Sequence, residues 1–157
     1  SSAALQSLAA GATVAILQQA APDGSTAVVE GSGVYEAENA VRNGVDSEST
    51  AAGRSGRGYL AGWNTSGTSV TFHVNVVDGG SYAVDLRYAA GAGNATRSLS
   101  VNGAAATAVS FPGTAAWDAW STVPTTVTLS PGHNTITLTY GPGDANYLNL
   151  DRLALAL

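Results

Sequence analysis

The 157-residue chain contains no cysteine and no lysine. The first absence excludes disulfides, thiolate zinc sites and cysteine nucleophiles, and leaves the redox compartment open. The second, with a formal net charge of −5, excludes the basic patch that a nucleic-acid backbone requires. Charge of either sign is scarce: 11 % of residues, against about 25 % in an average protein. The surface must therefore be built from Thr, Ser, Asn, Gly and Ala, a composition commoner in extracellular β-proteins than in cytosolic enzymes. No stretch approaches the roughly 18 apolar residues needed to cross a membrane. The N-terminus lacks the basic start of a signal peptide, so the chain is read as a mature or excised fragment. None of this limits the core, since apolar residues make up 45 % and the length suffices for one full hydrophobic interior.

Residues 1–32 are rich in Ala, Ser and Gly. "ATVAILQQ", the turn-like "APDGS" and "TAVV" could form one hairpin, which is marginal alone. We expect this segment to be a linker or the end of a preceding domain. From residue 35 the pattern is β throughout. In "SVTFHVNVV" Val70, Phe72, Val74 and Val76 share one face, and Thr71, His73 and Asn75 the other. "SYAVDLRYA" repeats the device with Tyr82, Val84, Leu86 and Tyr88 inward, Asp85 and Arg87 outward. Short alternating strands closed by Asn-Gly and Pro-Gly turns predict an all-β sandwich of two antiparallel sheets.

Two places put acids where they need a partner. In "GVYEAENAV" Glu36 and Glu38 stand two apart at the start of a predicted strand, on one face and about 7 Å apart. In "NYLNLDRLALAL" period two puts Asn149 and Asp151 on the inward side with Leu153, Leu155 and Leu157. An inward carboxylate beside leucines is costly unless paired or bound to a metal. Arg42 or Arg152 could instead neutralise the glutamates at the surface.

The ordered run "YEAENA", "GRGYLAGW", "YAVDLRYAAG", "RSLSVNG", "FPGTAAWDAWST", "LSPGHNTITLTY" and "NLDRLAL" resembles family 35 carbohydrate-binding modules, relatives of family 6, over residues 33–157. Within the family the likeness is greatest to modules of secreted actinobacterial glycoside hydrolases, including an exo-β-D-glucosaminidase. The resemblance implies a β-jelly roll with a structural calcium held by Glu36, Glu38 and Asp151. Calcium takes about 6–8 oxygen ligands, so three carboxylates with carbonyls from the glycine-rich "RSGRGY" loop suit it, and no nearby histidine or cysteine favours zinc.

The resemblance also implies the sugar site. Trp117 in "WDAW" reads as the stacking platform, with Trp120 partly structural; Tyr59 corresponds to a second aromatic wall and Asn149 to a polar contact. Many members bind uronic acids, glucuronic acid or the unsaturated 4,5-anhydrogalacturonic acid, in a calcium-dependent way. A carboxylate ligand calls for an arginine or a second calcium; Arg97, after "AAGAGNAT", is the candidate, ahead of mid-strand Arg87. Asn43, Asp46, Asp144 and Asn146 could serve a second calcium. Other members bind galactose- or mannose-containing glycans, which need no such charge.

The expected molecule is thus a monomeric, secreted, non-catalytic module that holds an attached glycoside hydrolase to plant cell-wall polysaccharide, with no nucleic-acid or membrane partner. Two rivals are a hydrolase, which needs two carboxylates facing across a cleft, and a structural calcium-binding sandwich. "GRSGRG" lacks the helix and Lys-Ser/Thr of a phosphate loop. His73 and His133 are expected at the surface with no triad partner. Asp118 is read as a loop acid that could bond a sugar hydroxyl.

Overall fold

The computed structural model describes residues 33–156 together with two two-residue strands before them. These strands, β1 (Gln19–Ala20) and β2 (Thr26–Ala27), pair antiparallel, as the hairpin expectation required; the remainder of residues 1–32 lies outside the described residues. The chain continues through β3 (Val34–Glu36), a 3-10 turn (Ala37–Asn39), β4 (Val41–Asn43), β5 (Asp46–Glu48) and β6 (Tyr59–Trp63). Then follow β7 (Ser69–Val76), β8 (Gly80–Ala89), β9 (Ala95–Val101), β10 (Thr107–Phe111), β11 (Ser121–Leu129), β12 (Gly132–Thr139) and β13 (Leu148–Ala156).

The strands form two antiparallel sheets, ordered β10-β9-β12-β7-β4 and β11-β8-β13-β6-β5, with β3 added against β13. This is the expected sandwich. Alternation explains the layering: Val70, Phe72 and Val74 of β7 meet Val84, Leu86 and Tyr88 of β8 in one buried core. Tyr82 is buried with them, while Val76 is only partly covered. The first convincing strand and the last are neighbours, Glu36 opposite Arg152 and Tyr35 opposite Leu153.

Two local expectations are corrected. Glu38 is not on a strand: the chain leaves β3 at Glu36 and enters the 3-10 turn, so the two glutamates are brought together by a bend. Asn149 does not share the inward face of Leu153 and Leu155. The pairing of β13 with β8 shifts between Leu150, opposite Tyr88, and Arg152, opposite Arg87. One extra residue on β13 reverses its alternation. Leu148 and Leu150 therefore point into the core before the bulge and Leu153 after it. Asn149 turns to the other face of the sheet, and Asp151 sits in the bulge, fully buried.

Candidate sugar pocket and carboxylate cluster

The face of the sheet opposite the core carries a pocket of about 650 Å³. Its floor is Tyr59 and Gly62 on β6 and Asn149 on β13; its rim is Glu48, at the end of β5, with loops that bring Thr50, Ala51, Ala92, Trp117, Asp118 and Tyr147 together. Asn149 accepts a hydrogen bond from the Gly62 N–H through Oδ1 at 3.2 Å, which fixes the amide in the floor. Trp117, in the turn before β11, and Tyr147, just before β13, are among the few exposed large apolar side chains. Gly91 explains how Trp117 is supported: a Cβ there would lie 2.7 Å from the indole Cδ2 and 2.9 Å from the Ala116 carbonyl carbon. The ring rests on bare backbone. Only glycine permits that approach.

Tyr59 lines the pocket, but as a buried floor rather than a free wall. Its hydroxyl accepts from the Ala51 N–H at 3.1 Å, lies 3.2 Å from Thr50 Oγ1, and donates to Glu48 Oε2 at 3.3 Å. Trp120 stands behind it, edge-on with centroids 5.3 Å apart, and donates from Nε1 to the Ala52 carbonyl at 2.8 Å. Trp120 does not line the pocket, so its role is to hold Tyr59 and the 50–54 loop.

Arg97, expected to meet a carboxylate ligand, is fully buried and does not line the pocket. It belongs to β9 rather than to the preceding loop, and its alternation with Ala95 and Leu99 turns it into the core. The guanidinium is sandwiched between the rings of Trp63 and Tyr140, 4.6 and 4.5 Å from their centroids. It donates to the carbonyls of Thr96 (2.6 Å), Ala145 (3.2 Å), Asn146 (2.9 Å) and Trp63. Burial lowers its pKa to about 10, which leaves it charged at neutral pH. Two of those carbonyls belong to the segment leading into Tyr147, so Arg97 shapes the pocket from behind.

The pocket lining holds two acids, Glu48 and Asp118, and no basic residue. Sequence reasoning missed Glu48 and Tyr147. Tyr147 had a signal, an aromatic in the turn-rich "GPGDANY" just before a strand. Glu48 had none. Of the second-calcium candidates, Asp144 accepts from Ser98 Oγ and the Gly141 N–H, both at 2.8 Å, and Asn146 donates to the Ala92 and Asn94 carbonyls.

The structure brings Glu36, Glu38 and Asp151 around one loop, 54–58. Ser55 Oγ donates to both oxygens of Glu36, the Oε2 bond being 2.8 Å, and the Ser55 N–H donates to both oxygens of Asp151 at 3.0 Å. Arg87 pairs with Asp151 Oδ2 at 2.5 Å. Glu38 Oε2 accepts from the N–H groups of Arg57 (2.9 Å) and Gly58 (3.1 Å), while Oε1 is buried with no hydrogen-bond partner. Gly56, at φ +59°, lies so close that a Cβ would meet Glu38 Oε2 at 2.6 Å and Glu36 Oε1 at 3.1 Å. Burial raises the pKa of Glu38; backbone N–H donors oppose this and Asp151 adds to it. Among the described residues no group of three or more His, Asp or Glu side chains is gathered closely enough to hold a metal ion as it stands, and Asp151 is already paired with Arg87. The donors nonetheless fit a hard cation: all oxygen, three carboxylates, one buried oxygen unsatisfied. A smaller hollow of about 290 Å³, lined by Glu38, Ser47, Glu48, Ser49, Arg57 and Gly58, shares Glu48 with the larger pocket.

The family model for the carbohydrate binding module (family 35) matches residues 33–157. An isomaltosyltransferase from Sporosarcina globispora is 38% identical over 121 residues, 77% of this chain and 11% of that protein. An exo-beta-D-glucosaminidase from Amycolatopsis orientalis is 41% identical over 105 residues, 65% of this chain and 10% of that protein. Among solved structures, the native family 35 carbohydrate binding module from Clostridium thermocellum is similar with a TM-score of 0.72 at 31% identity, covering 78% of this chain and 95% of that one. The chain spans 10–21% of the length of the curated relatives it matches.

Proposed function

Residues 33–157 belong to family 35 of the carbohydrate-binding modules, a non-catalytic class, and from that premise we propose that the pocket at Trp117 binds an uncharged, glucose-type sugar of a polysaccharide. The observation that carries this is the lining: Trp117 and Tyr147 for the apolar faces of a pyranose, Asn149 for its hydroxyls, and Glu48 and Asp118 with no cation. Two carboxylates bond neutral hydroxyls well and repel a third carboxylate, at greater cost once the site is desolvated. The lining therefore favours a neutral glycan over the uronic acids that many family members bind. The likeness to an isomaltosyltransferase supports glucose units. The same acids favour a second reading, an amino sugar, to which the likeness to a glucosaminidase lends support.

Calorimetry with isomalto-, manno-, galacto- and glucosamine oligosaccharides beside glucuronic acid separates these readings. We expect isomalto-oligosaccharides to bind and glucuronic acid to fail. Tighter binding of glucuronic acid than of any neutral sugar would overturn the assignment, and tightest binding of glucosamine oligomers would favour the second reading.

The attached partner is a secreted glycoside hydrolase or transferase acting on the same glycan, with this chain as its monomeric anchor. Glu36, Glu38 and Asp151 are the residues that would hold calcium, the unsatisfied Glu38 Oε1 being the supporting observation. When bound it supplies positive charge to three acids and ties β3 to β13. A ligand at about a hundred times its dissociation constant stabilises by about 2.7 kcal/mol. EDTA is thus expected to lower the melting temperature by roughly 10 °C, reversibly with calcium chloride. An unchanged melting temperature would remove calcium from the account.

A further inference from the structure

The larger pocket and the smaller hollow meet at one carboxylate. The segment 47–51 runs along both: Thr50 and Ala51 line the pocket, Ser47 and Ser49 the hollow, and Glu48 each of them. The chain entering β6 keeps the same order, with Gly58 in the hollow and Tyr59 in the pocket. β5 pairs with β6, Glu48 opposite Tyr59, and is the edge strand of its sheet. The two spaces therefore form one groove along the sheet edge, with the Glu48 side chain at its middle.

The lining of the hollow narrows what it takes. Ser47, Ser49 and Arg57 are exposed. Arg57 Nη2 donates to Asn39 Oδ1 at 2.9 Å, which leaves further guanidinium N–H groups for a ligand. Glu48 Oε2 accepts from the Tyr59 hydroxyl, and its second oxygen is left for a hydroxyl from either side. Glu38 is the inner wall: its Oε2 takes the Arg57 and Gly58 N–H groups, and its Oε1 is covered. Arg57 opposes a bare cation and the two glutamates oppose an anion, which leaves a neutral, hydrogen-bonding group. No aromatic ring lines the hollow, so such a group is held by hydrogen bonds and not by stacking. The pocket, at about 650 Å³, already lies in the range of about 300–1,000 Å³ that buries ligands larger than one hexose, and the hollow adds about 290 Å³.

We propose that the hollow is a second sugar subsite, and that the module grips a run of linked units rather than a single chain end. One unit stacks on Trp117. A later one is bonded by Ser47, Ser49 and Arg57, and Glu48 accepts hydroxyls from both. This rests on the reading of the pocket at Trp117 as a sugar site.

The whole chain, saturated with calcium, is titrated with methyl α-D-glucoside, isomaltose, isomaltotriose and isomaltotetraose, by calorimetry or, for the weakest ligands, by NMR. Affinity is expected to rise by at least about tenfold between the glucoside and the longest member. In Arg57→Gln, and in the double variant Ser47→Val with Ser49→Val, that gain falls below about threefold. The glucoside binds these variants as it binds the parent, and their melting temperature is unchanged. Equal affinity at all lengths overturns the subsite, as does a gain that survives both variants or a loss that is the same at every length. Parallel series of glucosamine and manno-oligosaccharides separate the subsite from the identity of the sugar. If only one of those series binds, the glucose assignment falls and the subsite stands or falls by the gain with length in that series. No binding in any series overturns both.

Discussion

Arg97→Met is expected to lower the melting temperature by roughly 10–20 °C. The guanidinium satisfies carbonyls from Trp63, Thr96, Ala145 and Asn146, which belong to three separate parts of the chain. Methionine refills much of the volume between Trp63 and Tyr140 but donates nothing. Each buried acceptor left unsatisfied costs about 1–3 kcal/mol. Water reaches some of them, so a total of about 3–5 kcal/mol is reasonable. Arg97→Lys keeps the charge, yet one ammonium cannot reproduce the planar fork and should recover only a minority of the loss. Because Ala145 and Asn146 lead into Tyr147, sugar affinity should fall even in variants that remain folded. Thermal denaturation by circular dichroism decides the matter, and a drop of less than about 3 °C would show that the buried charge contributes little.

That residue also marks the limit of what the sequence made legible. The sandwich could be read because β7 and β8 alternate strictly, and alternation reports directly which face is buried. Arg97 alternates with Ala95 and Leu99 in the same way, but its partners are carbonyls and rings from distant segments, and no pattern along the chain reveals those. The bulge at Asp151 is the second case. Period two carried Asn149 and Asp151 to the leucine side, and the slip in pairing between Leu150 and Arg152 undid it. The slip has a useful consequence: it lets one short stretch serve two sites. Asn149 faces the pocket while Asp151, two residues on, is buried against Ser55 and Arg87.

The carboxylate cluster was reachable from cost alone, since acids so placed in a chain so poor in charge need partners. Glu48 was not. It is an exposed acid at the end of a three-residue strand, and it matters only because the fold places it in both hollows. Through Glu48 and the Gly58 backbone, order in the 54–58 loop bears directly on the pocket rim. A Cβ on Gly58 would sit 2.7 Å from the Glu48 carbonyl oxygen, so the two segments are packed backbone to backbone.

Trp117→Ala should reduce sugar affinity by about 100-fold or more while leaving the melting temperature within about 2 °C of the parent. The asymmetry follows from where the ring sits. Trp117 is 38% exposed without ligand and stands outside the buried core, so folding gains little from it. A bound pyranose would cover that exposed face, and loss of a central aromatic anchor typically costs about 2–4 kcal/mol. Gly91→Ala tests the same geometry without touching the indole. The new methyl would need the space the ring and the Ala116 backbone now fill, so the platform must tilt, and affinity should fall by an intermediate amount. Trp120→Ala is the contrast. It removes the edge contact to Tyr59 and the bond to Ala52, so stability and affinity should decline together. Equal losses of stability in Trp117→Ala and Trp120→Ala would make Trp117 a structural residue, and would move the sugar site away from this pocket.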